Sequence, residues 1–226
     1  LPKFVDDMEM KMEYFDHCFI ERDTLETSDV VNGGAELFLY QSGDLTIKDY
    51  DDGVYILGFP NFEVRKALYR VVVPALTMKS NSEVVSAQSF LRKMMQDGNT
   101  AEAKKALKAL IADVPYSNKK MASMDMEERY RLIMSTIFRA LGFRVEVERM
   151  LATGRIDMIV EVSSFIYVLE LKLSNNGGIS AAESQIKEKS YTEPFKADKR
   201  KVIALAVELD ETGKGLIDWK EVDESL

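Results

Sequence analysis

Gly154-Arg-Ile-Asp157, followed after a short polar break at Ser163-Ser164 by Phe165-Ile-Tyr-Val-Leu-Glu-Leu-Lys-Leu173, decides how the rest of the chain is read. The β-branched and aromatic content of 165–173 predicts a strand, with side chains alternating between two faces. Leu169, Leu171 and Leu173 share one face with Tyr167, while Glu170 and Lys172 continue the face begun by Ile166 and Val168. A strand apolar on both sides lies between layers, so charges appearing only at its C-terminal end mark a rim. Asp157 belongs to a preceding strand over 156–162, and a hairpin brings its carboxylate beside Glu170. Two carboxylates and one ammonium then converge.

That combination suits phosphodiester hydrolysis. Mg²⁺, or Mn²⁺ in its place, binds through one or two carboxylates, keeps several waters and completes its shell with substrate phosphate. The metal polarises a phosphoryl oxygen and acidifies a bound water, while a nearby lysine orients that water or offsets developing charge. Asp157 and Glu170 are the expected ligands, the backbone carbonyl of Leu171 a further oxygen, and Lys172 the third catalytic group.

These residues resemble the PD-(D/E)XK nuclease superfamily, whose αβββαβ core carries Asp and then Glu-x-Lys on adjacent strands. Three stretches, 153–160, 167–173 and 185–195, together look like the C-terminal nuclease-like domain of a family of bacterial AAA-ATPase-like proteins. Upstream, 40–50 and 57–65 resemble the connector between an ATPase module and that domain, so the resemblance runs over roughly 35–210. It implies a site role for Gln185 on the next helix and an N-terminal P-loop ATPase in the parent chain. It also implies an acid on the first core helix, which is predicted over 127–141 and closed by Gly142. The stripe Tyr130, Met134, Ile137, Phe138 and Leu141 reaches Glu127 by extrapolation. Glu128, three residues after Asp125, instead fits a capping box. Glu127 is the preferred acid, with Glu128 the alternative.

Composition bounds the function classes. The 226 residues are 46% hydrophobic, ample for a core, and no apolar run approaches a membrane span. A single Cys18 and a single His17 exclude a disulfide framework and a Cys/His zinc cage, and the scarcity of histidine argues against a histidine base. Both are expected to pack within a helix. A start at Leu1 reads as a piece of something longer, and no secretory signal is visible, so a cytoplasmic protein is expected. Residues 1–60 hold 14 acidic and 4 basic side chains, whereas 61–226 hold 24 and 26. The acidic half is a poor nucleic-acid surface. Lys187, Lys189, Lys196, Lys199, Arg200 and Lys201 are candidates to neutralise a phosphate backbone.

The N-terminal half reads as helices and one hairpin. Strand-like 44–50 and 54–59 flank Asp51-Asp52-Gly53, a strong hairpin signal. Asn61 caps a helix that Pro74 should disturb. Two more helices, 82–96 and 100–112, have Ser82 and Thr100 as expected N-caps. The outline is winged-helix-like, and its acidic balance favours protein contacts. Pro115-Tyr-Ser-Asn-Lys-Lys120 is the best linker. Gly213-Lys214-Gly215 lacks P-loop spacing and reads as a turn.

The expected fold is therefore α+β: a restriction-endonuclease-like αβββαβ core at 115–226, preceded at 1–114 by a mainly helical connector with a β-hairpin. The expected function is metal-dependent hydrolysis of nucleic acid, with DNA ahead of RNA. The alternative is a catalytically silent nuclease-fold scaffold that binds a protein or nucleic acid.

Overall fold

A computed structural model describes residues 12–27, 34–77, 79–112 and 125–223. The chain divides into two compact units, 1–72 and 73–226. The predicted linker at 115–120 lies outside the described residues.

In the first unit, β1 (Cys18–Glu21), α1 (Arg22–Glu26), α2 (Gly34–Gln41), β2 (Thr46–Asp51) and β3 (Val54–Gly58) precede α3 (Phe62–Thr77), which runs across the division. The antiparallel sheet has the order β1-β3-β2. Asp52 and Gly53 both take positive φ, 42° and 86°, as a two-residue hairpin turn of matching twist requires. Asn61 Oδ1 accepts the Val64 N–H at 2.9 Å, the expected cap. One expectation fails here. His17 and Cys18 are not helical: Cys18 opens β1 opposite Leu57, a partner 39 residues away that no local pattern reveals. Burial, reinforced by Glu36, pushes its thiol up to about 12, so it packs rather than reacts. Pro74 lies inside α3, which nevertheless continues to Thr77, with Tyr69, Val72, Val73 and Leu76 buried along it. Their burial outweighs a proline cost of about 3 kcal/mol.

The second unit continues with α4 (Asn81–Gln96), α5 (Thr100–Ile111), α6 (Met126–Ala140), β4 (Arg144–Leu151), β5 (Gly154–Glu161), β6 (Phe165–Leu173), α7 (Gly178–Lys189), β7 (Lys201–Leu209) and β8 (Leu216–Val222). The caps of α4 and α5 fall one or two residues earlier than expected. Ser80, not Ser82, forms a capping box, because only Ser80 has a glutamate, Glu83, three residues on. Asn99 Oδ1 accepts the Glu102 N–H, while the Thr100 hydroxyl donates to Glu221. Asp125 precedes α6 but makes no side-chain cap bond, so the Asp125/Glu128 box does not form. Both helices assigned from sequence to the connector pack in this unit: the Trp219 indole donates to the Thr100 carbonyl at 3.0 Å, and Lys104 pairs with Asp218 at 2.6 Å.

The five strands lie in order β4-β5-β6-β7-β8, with only β6 and β7 parallel. From α6 to β7 the sequence is αβββαβ, to which β8 adds an edge. This is the α+β architecture expected. The sheet is buried on both faces. Ile159, Ile166, Val168, Ala204 and Ala206 cluster with Ala182 and Ile186 of α7, while Tyr130, Met134, Ile137 and Phe138 of α6 are buried throughout. The Tyr130 hydroxyl donates to the Asp210 carbonyl and accepts the Gly215 N–H at 2.8 Å, fixing the turn before β8.

Gly215 is the tightest point of that turn. Its φ is +104°, and a Cβ there would sit 2.6 Å from the Ile111 carbonyl oxygen. Backbone strain and overpacking each cost about 1–3 kcal/mol, so Gly215→Ala should destabilise the protein by about 2–4 kcal/mol. A urea midpoint within experimental error of wild type would refute this close packing.

Candidate active site

The pairing of β5 with β6 runs from Glu161↔Ile166 to Met158↔Leu169. One more step in that register sets Asp157 opposite Glu170, and strand alternation directs both side chains to one face. At that step the backbone pairing ends, and the Leu171 N–H donates to Asp157 Oδ2 at 2.9 Å. A strand residue's N–H and C=O point to the same edge, so the Leu171 carbonyl also faces β5.

Asp157 is 3% exposed and Glu170 is fully buried. Lys172 follows Glu170 by two residues, shares its face, and donates to Glu170 Oε1 at 2.7 Å. Glu170 Oε2 is buried and has no hydrogen-bond partner. Burial first, and the Asp157 charge second, push the Glu170 carboxyl up to about 8 against the opposing pull of Lys172. Burial alone would lower the Lys172 ammonium. The hydrogen bond it donates to Glu170 and the charges of Glu170, Asp157 and Glu127 outweigh it, and the net shift is upward.

Glu127 lies in the first turn of α6. Its carboxyl is raised by burial and then by Asp157, and lowered by Lys172 and Arg131, so it senses the whole cluster. Glu128 is exposed. Of the two acids, Glu127 is the one turned toward the carboxylates.

Gln185 is half-buried on α7, and its amide donates to the Tyr191 hydroxyl at 2.9 Å. That hydroxyl donates to the Arg155 carbonyl at 2.7 Å, tying α7 to β5 two residues before Asp157. Burial raises the Tyr191 hydroxyl, the Gln185 bond opposes it, and Glu170 and Asp157 raise it further. Tyr191 was not singled out from sequence. Its only signal there is a tyrosine six residues beyond Gln185.

The residues present suit a hard cation. Among the described residues no three His, Cys, Asp or Glu side chains form a metal cage. Two carboxylates with a bare buried oxygen match an ion that retains its waters and takes a phosphate, as Mg²⁺ does. The basic run is less available than its sequence suggests. Lys187 pairs with Glu183 at 3.0 Å, Lys196 with Glu193 at 2.5 Å, and Arg200 with Glu161 and Asp198 at 2.8 and 2.7 Å. Three of the six cations are thus already neutralised locally.

The αβββαβ core thus carries Asp157 on β5 and Glu170-x-Lys172 on the adjacent β6. Residues 125–219 match the PD-(D/E)XK nuclease superfamily. The matched span runs from the N-cap of α6 into β8 and takes in Glu127, Asp157, Glu170, Lys172 and Gln185. Members of this superfamily generally use divalent metals. An "uncharacterized protein in vnfD 5′region" from Azotobacter chroococcum mcd 1 is 26% identical over 215 residues, covering 89% of this chain and 40% of that protein. The chain therefore spans well under half the length of this relative. No solved structure matches at a significant level. No helix among the described residues is long and apolar enough to cross a membrane.

Proposed function

We propose that the protein is a Mg²⁺- or Mn²⁺-dependent nuclease that hydrolyses nucleic-acid phosphodiesters, with DNA as the expected polymer. The observation that carries this reading is the bare, fully buried Glu170 Oε2 beside Asp157, with Lys172 2.7 Å from the other Glu170 oxygen. Asp157, Glu170 and the Leu171 carbonyl would hold the ion. The ion would supply a polarised phosphoryl oxygen and an acidified water. Lys172, with its side chain only 16% exposed, is placed to orient that water and to offset charge developing on the phosphate. Glu127 adds negative charge behind the cluster, and Gln185 lines it from α7 through Tyr191. An N-terminal ATPase module in a longer parent chain belongs to the same proposal and rests on the resemblance of 40–50 and 57–65 to a connector.

A second reading, the silent scaffold, draws support from the pairing of Lys187, Lys196 and Arg200 with carboxylates, which thins the cationic track. Crystals soaked in manganese, together with cleavage assays on DNA and RNA, separate the two. The nuclease reading expects one ion shared by Asp157 and Glu170, at about 2.1 Å for magnesium-like coordination, and cleavage lost in Asp157→Asn. An empty site at millimolar manganese, with no cleavage of either polymer, would leave the scaffold.

A further inference from the structure

Arg131 sits one helical turn beyond Glu127 on α6, with its side chain only 11% exposed. Its guanidinium lies between carboxylates from two elements: Nη1 donates to Glu148 Oε1 of β4 at 2.5 Å, and Nη2 is 3.6 Å from Glu127 Oε1. Its Nε is buried without a partner. Glu148 carries a second anomaly. Its φ is +54°, a left-handed conformation that a residue with a Cβ adopts only at a cost. The pairing of β4 with β5 includes Val147↔Met158 and Arg149↔Ile156 but skips Glu148 and Asp157 between them. The strained residue therefore stands directly across from the candidate metal ligand. Glu148 Oε1 also accepts from Arg155 Nη1 at 2.9 Å, which ties down the start of β5.

Asp157 is thus released from regular pairing on both sides. Toward β6 its carboxylate takes the Leu171 N–H, and toward β4 the Glu148 kink interrupts the ladder. A buried arginine with an unpartnered nitrogen is a poor stabilising device, since apolar groups of similar volume often serve stability as well or better. The arrangement makes more sense as orientation.

We propose that Arg131 and Glu148 are a positioning pair for the metal site: Arg131 turns Glu127 toward the carboxylates, and the Glu148 kink that Arg131 anchors holds Asp157 out of the sheet's pairing. The inference rests on the metal-dependent reading of Asp157 and Glu170. Neither residue is among the proposed ligands, so both would act through the groups they hold.

Manganese binding, titrated by electron paramagnetic resonance on the folded protein, tests it without reference to activity. Direct partners of metal ligands typically contribute about 10–100-fold in affinity; Arg131 acts one step further out, through Glu127 and Glu148, so Arg131→Met should weaken manganese binding by up to about 10-fold. Arg131→Lys, which keeps the charge but not the fork, should recover part of that loss. Glu148→Gln, at a side chain 45% exposed, gives an independent measurement and should weaken binding in the same direction. Asp157→Asn serves as the ligand control. Wild-type affinity in both Arg131→Met and Glu148→Gln, with binding lost in Asp157→Asn, would overturn the positioning pair and leave the metal site standing. No manganese binding by the wild type would overturn the metal site and the positioning pair together. A lower melting temperature in Arg131→Met with unchanged affinity of its folded fraction would reduce Arg131 to a structural role.

Discussion

Lys172→Ala should lower nucleic-acid cleavage about 10²–10⁴-fold, the range for a positioned group acting on a proton or a developing charge. The loss should fall on kcat, with KM for the polymer little changed, because the ammonium is bonded to Glu170 and shielded from solvent rather than presented as a surface cation. Manganese affinity should be unchanged or tighter, since removing a cation beside two carboxylates removes a competitor for the ion. This split distinguishes a reacting group from a ligand. Equal cleavage by wild type and Lys172→Ala would take the lysine out of the mechanism, and a parallel loss of manganese binding would recast it as part of the binding shell.

The metal-free protein should lose stability as pH rises from about 5 to 8. Glu170 has its folded carboxyl raised from 4.5 to about 8, so between those values the folded state holds a proton that the unfolded chain has released. Stability from this group is complete below 4.5 and is lost as pH climbs through 8. Asp157→Asn removes the second-largest cause of the shift while keeping an oxygen that can accept the Leu171 N–H. The variant should therefore be as stable as wild type at pH 5 and more stable at pH 8. Manganese at 100 times its dissociation constant should stabilise wild type by about 2.7 kcal/mol and the variant much less. Thermal melts across pH, in chelator and in manganese, would read all of this. A structural ion pair predicts the reverse: a cost of about 3–5 kcal/mol in metal-free Asp157→Asn and no manganese shift in wild type.

Legibility in the sequence followed the range of the interaction. Strands 165–173 and 201–209 were readable to the residue, because long apolar runs with polar punctuation leave little choice of period. The turn at Asp52-Gly53 was equally clear, since it demands two positive φ values, although its strands run over 46–51 and 54–58 rather than 44–50 and 54–59. Short or competing signals were not. Cys18–Glu21 is a strand only because β3 is beside it, and two nearby serines could not be ranked as caps without noticing which one has Glu83 at the right distance. The carboxylate pair with its lysine could be found from one strand and its neighbour. Arg131, Glu148 and Tyr191 could not, because their meaning lies in contacts across 17 to 36 residues and, for Glu148, in a backbone angle.

The parallel ladder between β6 and β7 has a kinetic consequence. Asp157 and Glu170 come together through a local hairpin, whereas β7 pairs with β6 across 36 residues and only after α7 has crossed over. Local antiparallel contacts close before distant parallel ones repay their loop entropy. The two acids therefore meet while still hydrated, and the dehydration that makes their proximity costly arrives with the last elements to dock. A cation that relieves this late penalty should act mainly on the native side of the folding barrier. It would slow unfolding far more than it hastens folding, and the loaded protein would be protected chiefly by its lifetime.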